Sequence, residues 1–294
     1  MASDLFLIDL DLPREGFRRF ISAWLYRSDG ATFLVDPGPR AAWPALCQAL
    51  KHLNVSHLDA VLLTHIHMDH AGGTGLVLQE YPDARVVCHP KAIPHLAAPA
   101  RLEEESRKVL GDLVDDYGGI APVPAESLFY RDWIDVGGKE IRVLETPGHA
   151  PHHLAFFVEG TLFAGEVAGV HFPDVAPFYL RPATPPVFRE EIFRNSLKKL
   201  TVLSVSRLCF GHYGCRTDAS WIFEQTAKQM DCWLTLIREA LPTGKGEQDI
   251  LQELLDRDPL LAGFSRLPAE IQHRERYFLG NSIRGMAAYL RKAG

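Results

Sequence analysis

The chain has 294 residues, of which 47% are hydrophobic and 23% are charged, and its formal net charge is −6. These values are typical of a globular protein whose core is large enough to need no disulfide or structural metal to hold it. The acidic balance, together with the lack of any Lys- or Arg-rich run, argues against a protein that binds the phosphate backbone of nucleic acids.

The cysteines and the amino terminus both bear on the compartment. The five cysteines are odd in number and show no CxxC spacing, which favours reduced thiols over a disulfide framework. Asp4, Asp9 and Asp11 fall where a signal peptide would be apolar, and no uncharged apolar run approaches the roughly 18 residues of a membrane span. We therefore expect a cytoplasmic protein with no membrane partner.

The first half of the chain alternates between strand-like and helix-like segments. Short apolar stretches that end in Gly, Pro or Asp predict buried strands at residues 32–35, 59–63 and 85–88. Residues 41–50 and 73–81 between them fit helices. The alternation predicts a mixed α/β sheet with helices packed on it.

The middle of the chain continues this pattern with one insertion. Residues 98–117, rich in Glu, Arg, Lys and Leu, predict an inserted surface helix. The Gly137-Gly138 pair lies between two alternating segments and predicts a hairpin. Further strands are predicted at residues 154–158, 161–164 and 207–210.

The last third of the chain predicts a loop and then helices. The loop is irregular and fixed because it contains Pro173, Pro177, Pro182, Pro185 and Pro186. A helix is predicted at residues 187–203, and no strand pattern remains after Gly214. Helical periodicity covers residues 218–241, 248–256 and 268–291, the last as one or two helices. We therefore predict a catalytic domain at residues 1–217 and a helical region at residues 218–294 packed on it.

The segment richest in reactive side chains is Thr64-His65-Ile66-His67-Met68-Asp69-His70, directly after an apolar strand. Neutral imidazoles and carboxylates are good ligands for Zn, Mn or Fe. His65 and His67 project to the same side and can share one ion. Asp69 and His70 are adjacent, so they point elsewhere and can serve a second ion.

Other predicted strands lead into ligand-type side chains in the same way. His149, Glu166 and His212 each follow an apolar strand and a glycine, and Asp36 follows residues 32–35. Ligands gather outside the carboxyl ends of strands in open α/β sheets, and glycine permits close backbone approach there. The sequence therefore predicts that five strand ends converge on one edge.

These motifs resemble those of the metallo-β-lactamase superfamily, in the family's order and over roughly residues 30–215. The match rests on Val35-Asp36-Pro37-Gly38, His65-x-His67-x-Asp69-His70, Thr146-Pro147-Gly148-His149, Phe163-Ala164-Gly165-Glu166 and Gly211-His212. The resemblance, closest to the glyoxalase II-like branch, implies an α/β fold built as a four-layer αβ/βα sandwich. It also implies two divalent ions at the shared sheet edge. By position, the first ion would be bound by His65, His67 and His149, and the second by Asp69, His70 and His212.

One residue departs from the family's pattern. The bridging carboxylate is usually Asp, whereas here it is Glu166, which is one methylene longer. Glu166 either bridges both ions from a retracted backbone or binds one ion and leaves the second site weak. We expect Zn, with Fe and Mn as alternatives, and the number of ions stays open.

The expected ions imply hydrolysis. Zn²⁺ lowers the pKa of a bound water to about 7, and a second ion polarises the substrate's carbonyl or phosphoryl oxygen. We therefore predict a hydrolase whose metal-bound hydroxide cleaves an ester, thioester or lactone-type bond of a small molecule, without a covalent enzyme intermediate. Asp69 is predicted to orient the hydroxide, and Asp36 to hold the other nitrogen of a ligand histidine.

Several nearby residues are candidates for lesser roles. His171 and Tyr213 are predicted to contact substrate or act in catalysis. Tyr179 and Arg181 are weighed as pocket-lining residues of the Pro-rich loop, where Arg181 would suit an anionic group. His152 and His153 follow the ligand loop closely. One of them is a candidate for a hydrogen bond in the pocket, and a position on the surface of a helix or turn is an equal alternative. Cys209 and Cys215 flank His212 symmetrically, which suggests metal thiolates, but Cys209 belongs to an apolar strand and a packed thiol is favoured there.

Three other functions remain open. A mononuclear iron dioxygenase on the same fold would use two histidines and a carboxylate, and Glu166 makes this less remote. A nuclease ranks low because no basic run is present, and the full ligand set argues against a non-catalytic metal-binding module. We expect a small-molecule substrate that no residue identifies further, no nucleic-acid partner, and a homodimer only by default.

Overall fold

Two six-stranded sheets, packed face to face, form the centre of the computed structural model, which describes residues 4–174 and 178–293. The first sheet has its strands in chain order: β1 (Asp4–Asp9), β2 (Ser22–Ser28), β3 (Ala31–Val35), β4 (Ala60–Leu62), β5 (Arg85–Val87) and β6 (Leu128–Phe129). Strands β1 to β3 are antiparallel neighbours, and β3 to β6 are parallel.

The second sheet is mostly antiparallel. Its strands are β7 (Trp133–Val136), β8 (Lys139–Glu145), β9 (Leu154–Val158), β10 (Thr161–Phe163), β13 (Arg207–Cys209) and β14 (Cys215–Arg216). Between β10 and β13 in the chain, β11 (Val170–His171) and β12 (Leu180–Arg181) form a separate two-stranded ribbon. Their order is β14-β13-β10-β9-β8-β7, and only β10 and β13 are parallel.

Ten α-helices lie among the described residues. They are α1 (Trp43–His52), α2 (Met68–Ala71), α3 (Thr74–Glu80), α4 (Ile93–Ala97), α5 (Ala100–Leu110), α6 (Leu113–Tyr117), α7 (Glu190–Thr201), α8 (Ala219–Ala240), α9 (Glu247–Arg257) and α10 (Ala269–Ala293). None of these helices is both long and apolar enough to cross a membrane.

Strand periodicity divides the core into two apolar clusters. Phe33 of β3 packs between the sheets, where its ring meets Phe163 of β10 at a centroid distance of 6.0 Å. Its neighbour Leu34 faces the opposite way and joins the larger cluster beneath the helices. Because successive strand residues point to opposite faces, each sheet is buried on both sides. The predicted αβ/βα sandwich is thereby confirmed.

The predicted strands are present with bounds that differ by a residue or two, and the hairpin at Gly137-Gly138 joins β7 and β8. The prediction at residues 98–117 was wrong in one respect. Gly111, at φ 58°, ends the first helix, so two helices occupy this stretch. The prediction of no strand after Gly214 was also wrong, because β14 pairs with β13.

The carboxyl-terminal third is helical, as predicted, and residues 268–291 correspond to the single helix α10. Side chains such as Trp233 of α8 and Leu279 of α10 belong to the larger apolar cluster, which also contains Phe20. The helices therefore pack on the sandwich.

The domain boundary at residues 217/218 stays a prediction. Pro177 of the predicted irregular loop lies outside the described residues, and the loop contains the short strand β12.

Candidate metal centre

Each candidate ligand lies just beyond the carboxyl end of a strand, as the sequence predicts. His65 and His67 follow β4, and the short helix α2 then carries Asp69 and His70. The other three come one to a strand: His149 after β8, Glu166 after β10 and His212 after β13. The strands end at one edge of the sandwich, so seven side chains from distant parts of the chain meet there.

The structure sorts these side chains into two groups that could each hold a metal ion. Within each group the ligand atoms all lie within 4.8 Å of one another. The first group is His65, His67, His149 and Glu166, and the second is Asp69, His70 and His212.

Glu166 belongs to the first group and also reaches the second. Its Oε2 lies 2.7 Å from Nε2 of His149 and 3.3 Å from Nε2 of His65. Its Oε1 lies 3.1 Å from Nε2 of His212 in the second group. The longer glutamate side chain therefore contacts histidines of both groups from its own strand.

Hydrogen bonds on the outer side of the rings set which nitrogen faces inward. Nδ1 of His149 lies 3.0 Å from the carbonyl oxygen of Ala183, which only accepts, so Nδ1 donates and Nε2 carries the lone pair. Nδ1 of His70 likewise donates to Oδ2 of Asp36 at 3.1 Å. In both cases Nε2 faces the shared gap, where its lone pair can bind a metal ion once no proton occupies it.

Asp36 also sets the orientation of His65, through Thr64. The Thr64 hydroxyl donates to Oδ2 of Asp36 at 2.6 Å, so it accepts from Nδ1 of His65 at 3.0 Å. The Thr64 amide donates to Oδ1 of Asp36 at 2.8 Å. Asp36 adopts φ 50°, a left-handed conformation that Asp tolerates better than most residues. Asp36 therefore holds His70 directly and His65 through Thr64, an arrangement suited to supporting metal ligands from behind.

The donor set fits divalent cations. Nε2 of His65 and Nε2 of His70 are buried, and among the described residues neither makes a hydrogen bond of good geometry. Nδ1 of His67 lies only 2.9 Å from Nε2 of His149, whose lone pair points toward it. Nε2 of His149 also lies 2.7 Å from Oε2 of Glu166, and a buried lone pair directed at a carboxylate is costly unless a cation lies between them. Imidazole and carboxylate ligands suit Zn, Fe or Mn.

Burial and neighbouring charges keep His67 and Glu166 in the forms that bind metal ions. Burial, reinforced by His149, lowers the pKa of His67 to about 4. Burial would raise the pKa of Glu166, but His149 and His212 hold it well below its usual value. Burial would lower the pKa of His70, yet Asp69 and Asp36 raise it to about 9. A metal ion bound by His70 would therefore have to displace a proton from it.

His153 contacts the backbone of the candidate site, a role that the sequence could not assign to it rather than to His152. Its Nε2 accepts the backbone N–H of Glu166 at 3.0 Å, while its Nδ1 lies 2.8 Å from the hydroxyl of Thr146. Gly165 allows this approach, because a Cβ there would lie 2.4 Å from Nε2 of His153. His153 therefore fixes the backbone that presents Glu166. His152 lies beside His67, with ring centroids 5.9 Å apart.

Two predicted catalytic residues lie outside both ligand groups. His171 stacks on Phe178 at a centroid distance of 4.9 Å and donates from Nδ1 to the carbonyl of Tyr179 at 2.8 Å. The Tyr213 hydroxyl accepts a hydrogen bond from Nε of Arg19 at 3.1 Å. The catalytic roles of His171 and Tyr213 stay predictions.

Tyr179 and Arg181, weighed as pocket-lining residues, are instead engaged by α10. Nε of Arg181 donates to Glu275 at 2.5 Å, and the Tyr179 hydroxyl donates to the same carboxylate at 2.9 Å. Both residues are buried. Their contacts tie the loop to the carboxyl-terminal helix, which the sequence did not predict.

Similarity to known proteins is consistent with this geometry. The chain is 34% identical over 180 residues to a metallo-beta-lactamase fold-containing protein of Sulfurisphaera tokodaii, covering 59% of this chain and 66% of that one. It is 32% identical over 149 residues to a hydroxyacylglutathione hydrolase of Aeromonas hydrophila, covering 49% and 44%. The chain thus spans about two thirds of the first relative's length and less than half of the second's.

Solved structures extend the likeness over nearly the whole chain. An archaeal metallo-beta-lactamase superfamily protein from Sulfolobus tokodaii superposes with a TM-score of 0.73 at 25% identity, covering 98% of this chain and 100% of that one. A metallo-beta-lactamase family protein from Thermus thermophilus gives 0.69 at 26% identity, covering 99% and 94%. The sequence model of the metallo-beta-lactamase superfamily matches residues 16–212, a stretch that includes Asp36 and both ligand groups. The chain belongs to the metallo-beta-lactamase superfamily.

Proposed function

We propose that the protein is a hydrolase that binds two divalent metal ions and cleaves an ester, thioester or lactone-type bond of a small molecule. The observation that carries the proposal is the position of the Glu166 carboxylate. One of its oxygens lies beside His149 of the first group, and the other lies beside His212 of the second. A carboxylate shared between two donor sets is suited to holding a pair of ions together.

The residues divide naturally between two ions. The first ion would be held by His65, His67 and His149, the second by Asp69, His70 and His212, and Glu166 would contact both. We propose Zn²⁺ as the ion, because imidazoles and carboxylates are its usual ligands in catalytic sites, with Fe and Mn as alternatives.

When bound, the ions supply Lewis acidity, which activates water and polarises the bond under attack. The remaining tasks fall to side chains of this chain. Asp69 is partly exposed beside His70 and His212, so its carboxylate can accept a hydrogen bond from the attacking water and orient it. Asp36 keeps the ring of His70 turned with Nε2 inward. In this scheme no side chain forms a covalent bond with the substrate.

The relatives support an acyl substrate. The Aeromonas hydrophila relative is named as a hydrolase of hydroxyacylglutathione, and this chain spans 44% of its length.

All five cysteines are free, which supports a reducing, cytoplasmic setting. A homodimer remains a default expectation.

The second ligand group weighs against the alternative of a mononuclear iron dioxygenase. Such a site needs two histidines and one carboxylate with open positions, whereas here Asp69, His70 and His212 form a further donor set. The net charge of −6 weighs against a nuclease.

The proposal is tested with a panel of thioesters, lactones, phosphodiesters and β-lactams, with the bound metal measured on the same protein. We expect turnover of at least one acyl substrate by protein that holds about two ions. His67→Ala should lose most of both the metal and the turnover, because it removes a ligand.

His52→Ala is the matched control, because His52 is an exposed histidine at the end of α1. It should retain the wild-type metal content and turnover. Two results would overturn the proposal: no turnover of any substrate by metal-loaded protein, or iron near one per chain together with oxygen uptake.

A further inference from the structure

Cys209 and Cys215 face each other at the base of the loop that carries His212. Cys209 ends β13 and Cys215 begins β14, and the two are partners in the antiparallel register of these strands. Cys209 is buried, whereas Cys215 is exposed. The proposed hydrolase chemistry uses neither thiol.

The hydrogen bonds around the pair show which kind of antiparallel pair it is. The amide of Phe210 donates to the carbonyl of Gly214 at 3.1 Å, so Phe210 and Gly214, the next pair toward the loop, form a hydrogen-bonded pair. The carbonyl of Cys209 accepts from the amide of Ala164 at 2.9 Å, so it faces away from β14. Cys209 and Cys215 therefore form a non-hydrogen-bonded pair.

Non-hydrogen-bonded partners are the closest neighbours in an antiparallel sheet. Their Cα atoms are about 4.5 Å apart and their side chains lie on the same face. Disulfides span Cα separations of roughly 4.4–6.8 Å. The backbone of β13 and β14 therefore already brings the two thiols within disulfide range, at the short end.

The surroundings of the two thiols give them different reactivities. A hydrogen bond with Cys209 lowers the pKa of Cys215 to about 7, assisted by the charge of Arg207. Burial, together with the same contact, raises the pKa of Cys209 well above its usual value. Near neutral pH the exposed thiol is thus partly thiolate, the form that attacks oxidants, while its buried partner keeps its proton.

We propose that Cys209 and Cys215 form a peroxide-sensitive thiol pair, a site of reversible oxidation at the base of the His212 loop. The Cys215 thiolate attacks one peroxide oxygen, the O–O bond breaks, and a sulfenic acid and hydroxide form. The Cys209 sulfur then attacks the sulfenic sulfur, the S–S bond forms, and the hydroxyl group leaves as water with the thiol proton. Two thiols are oxidised, one peroxide is reduced to two waters, and a dithiol reductant reverses the change.

The remaining cysteines serve as internal controls. Burial raises the pKa of Cys88 to about 12 and also raises that of Cys232. Neither thiol is therefore a good nucleophile at neutral pH. Selective loss of the Cys209 and Cys215 thiols is the signature of the proposed pair. Transient, redox-sensing disulfides of this kind are compatible with a reducing compartment.

The pair can be tested by peptide mapping of the full-length protein. Trypsin cleaves after Arg207 and Arg216, so both cysteines fall in the single peptide of residues 208–216. After a few equivalents of hydrogen peroxide and then N-ethylmaleimide, we expect this peptide to be unlabelled and about 2 Da lighter than the reduced peptide. Dithiothreitol should restore two labels. The free thiols should fall from the five of the untreated chain by two.

Single substitutions test the order of events. Cys209→Ser should leave Cys215 as a sulfenic acid that dimedone traps, because no thiol is present to resolve it. Cys215→Ser should leave Cys209 unoxidised at the same peroxide dose. Cys47→Ser is the matched control and should form the disulfide as the wild type does.

The wild-type map decides the question even if a variant folds poorly. The proposal is overturned if peptide 208–216 keeps two alkylatable thiols while other cysteines are consumed. It is equally overturned if the only disulfide found joins two chains.

Discussion

Phe20 stacks on His212, with ring centroids 4.3 Å apart and ring planes inclined by 18°. The stack holds a ring that lacks the outer hydrogen bond of its neighbour His70. Nδ1 of His212 is buried and has no hydrogen-bond partner among the described residues, whereas Nδ1 of His70 is held by Asp36. The guanidinium carbon of Arg274 lies 3.7 Å from the Phe20 ring centroid, so helix α10 supports the stack.

We predict that Phe20→Leu weakens the second metal site. Leucine keeps the position apolar but removes the flat surface that orients the His212 ring. Loss of such a supporting contact typically lowers metal affinity by about 10- to 100-fold. Competition with a chelator should show one ion bound as in the wild type and the other bound more weakly.

Phe33→Leu is the matched control for this variant. Phe33 is equally buried and stacks on Tyr26 with ring centroids 4.6 Å apart, but it lies between the sheets. The Phe33→Leu variant should have a lower free energy of unfolding, but its affinity for one metal ion should not fall selectively. Equal metal affinities in Phe20→Leu and the wild type would rule out a role for the stack.

A second prediction concerns Asp36, which accepts hydrogen bonds from His70 and from the amide and hydroxyl of Thr64. Asp36→Asn keeps a residue that tolerates φ near 50° but removes the charge behind both ligand groups. We expect metal affinity to fall by about 10- to 100-fold while the apoprotein stays folded. Isothermal titration with Zn²⁺ and circular dichroism would measure the two effects.

Asp36→Ala separates the backbone from the side chain. Alanine in a left-handed conformation is strained by about 1–2 kcal/mol, so this variant should also lose stability as apoprotein. If Asp36→Asn binds zinc as tightly as the wild type, the carboxylate does not act through the ligand histidines.

The clustering of the candidate ligands was predictable because each follows a local pattern, an apolar strand and then a polar residue near a glycine. Glu166 and His212 could be assigned to one edge without knowing the sheet order. The supporting residues carry no such pattern. Phe20 meets His212, and His153 meets the Glu166 amide, only after the two sheets pack together.

The errors in the predicted fold have local physical reasons. Gly111 ends a helix because its φ of 58° is open to glycine at little cost, whereas the charged and apolar residues on either side of it favour a continuous helix. Strand β14 is only two residues long and is defined by its pairing with β13. Strands that short have no periodicity to read, so tertiary pairing decides them.

The third prediction tests whether the length of Glu166 matters. Glu166→Asp removes one methylene while His153 still holds the backbone amide. The shortened carboxylate should lose contact with at least one of His149 and His212, so metal content should fall from about two ions toward one. Elemental analysis of dialysed protein would measure this, with Glu166→Gln as the control that keeps the length and removes the charge.

An unchanged content of two ions in Glu166→Asp would mean that the backbone can advance to compensate. In that case the extra methylene is not what allows one carboxylate to serve both groups. Loss of both ions in Glu166→Asp would instead indicate that the two sites form only together.

The last prediction concerns Glu275, which ties α10 to the rest of the protein. The carboxylate is fully buried and accepts from Arg181 at 2.5 Å, Tyr179 at 2.9 Å and Arg274 at 3.0 Å. Removing one partner of a buried ion pair costs about 3–5 kcal/mol, because the other charge stays buried. Glu275→Gln should lower the free energy of unfolding in urea by this amount.

Glu247→Gln is the matched control, because Glu247 of α9 forms an ion pair that also holds α10. Glu247 forms an ion pair with Arg284 at 2.7 Å, but both side chains are partly exposed. Its loss should cost no more than about 1 kcal/mol. Similar losses in the two variants would mean that burial of the Glu275 cluster adds nothing to the docking of α10.

The pH dependence gives a further check on the same residue. Burial would raise the pKa of Glu275, but Arg181 and Arg274 hold it below the usual value of 4.5. A carboxylate whose pKa is lower in the folded state stabilises the fold above its unfolded pKa, and this is lost as the pH falls through the folded value. The free energy of unfolding of Glu275→Gln should therefore lie below that of the wild type by a constant amount from pH 7 to about pH 5. This difference should shrink below about pH 4.5. A deficit that grows with acidification would show that the carboxylate is protonated in the folded protein.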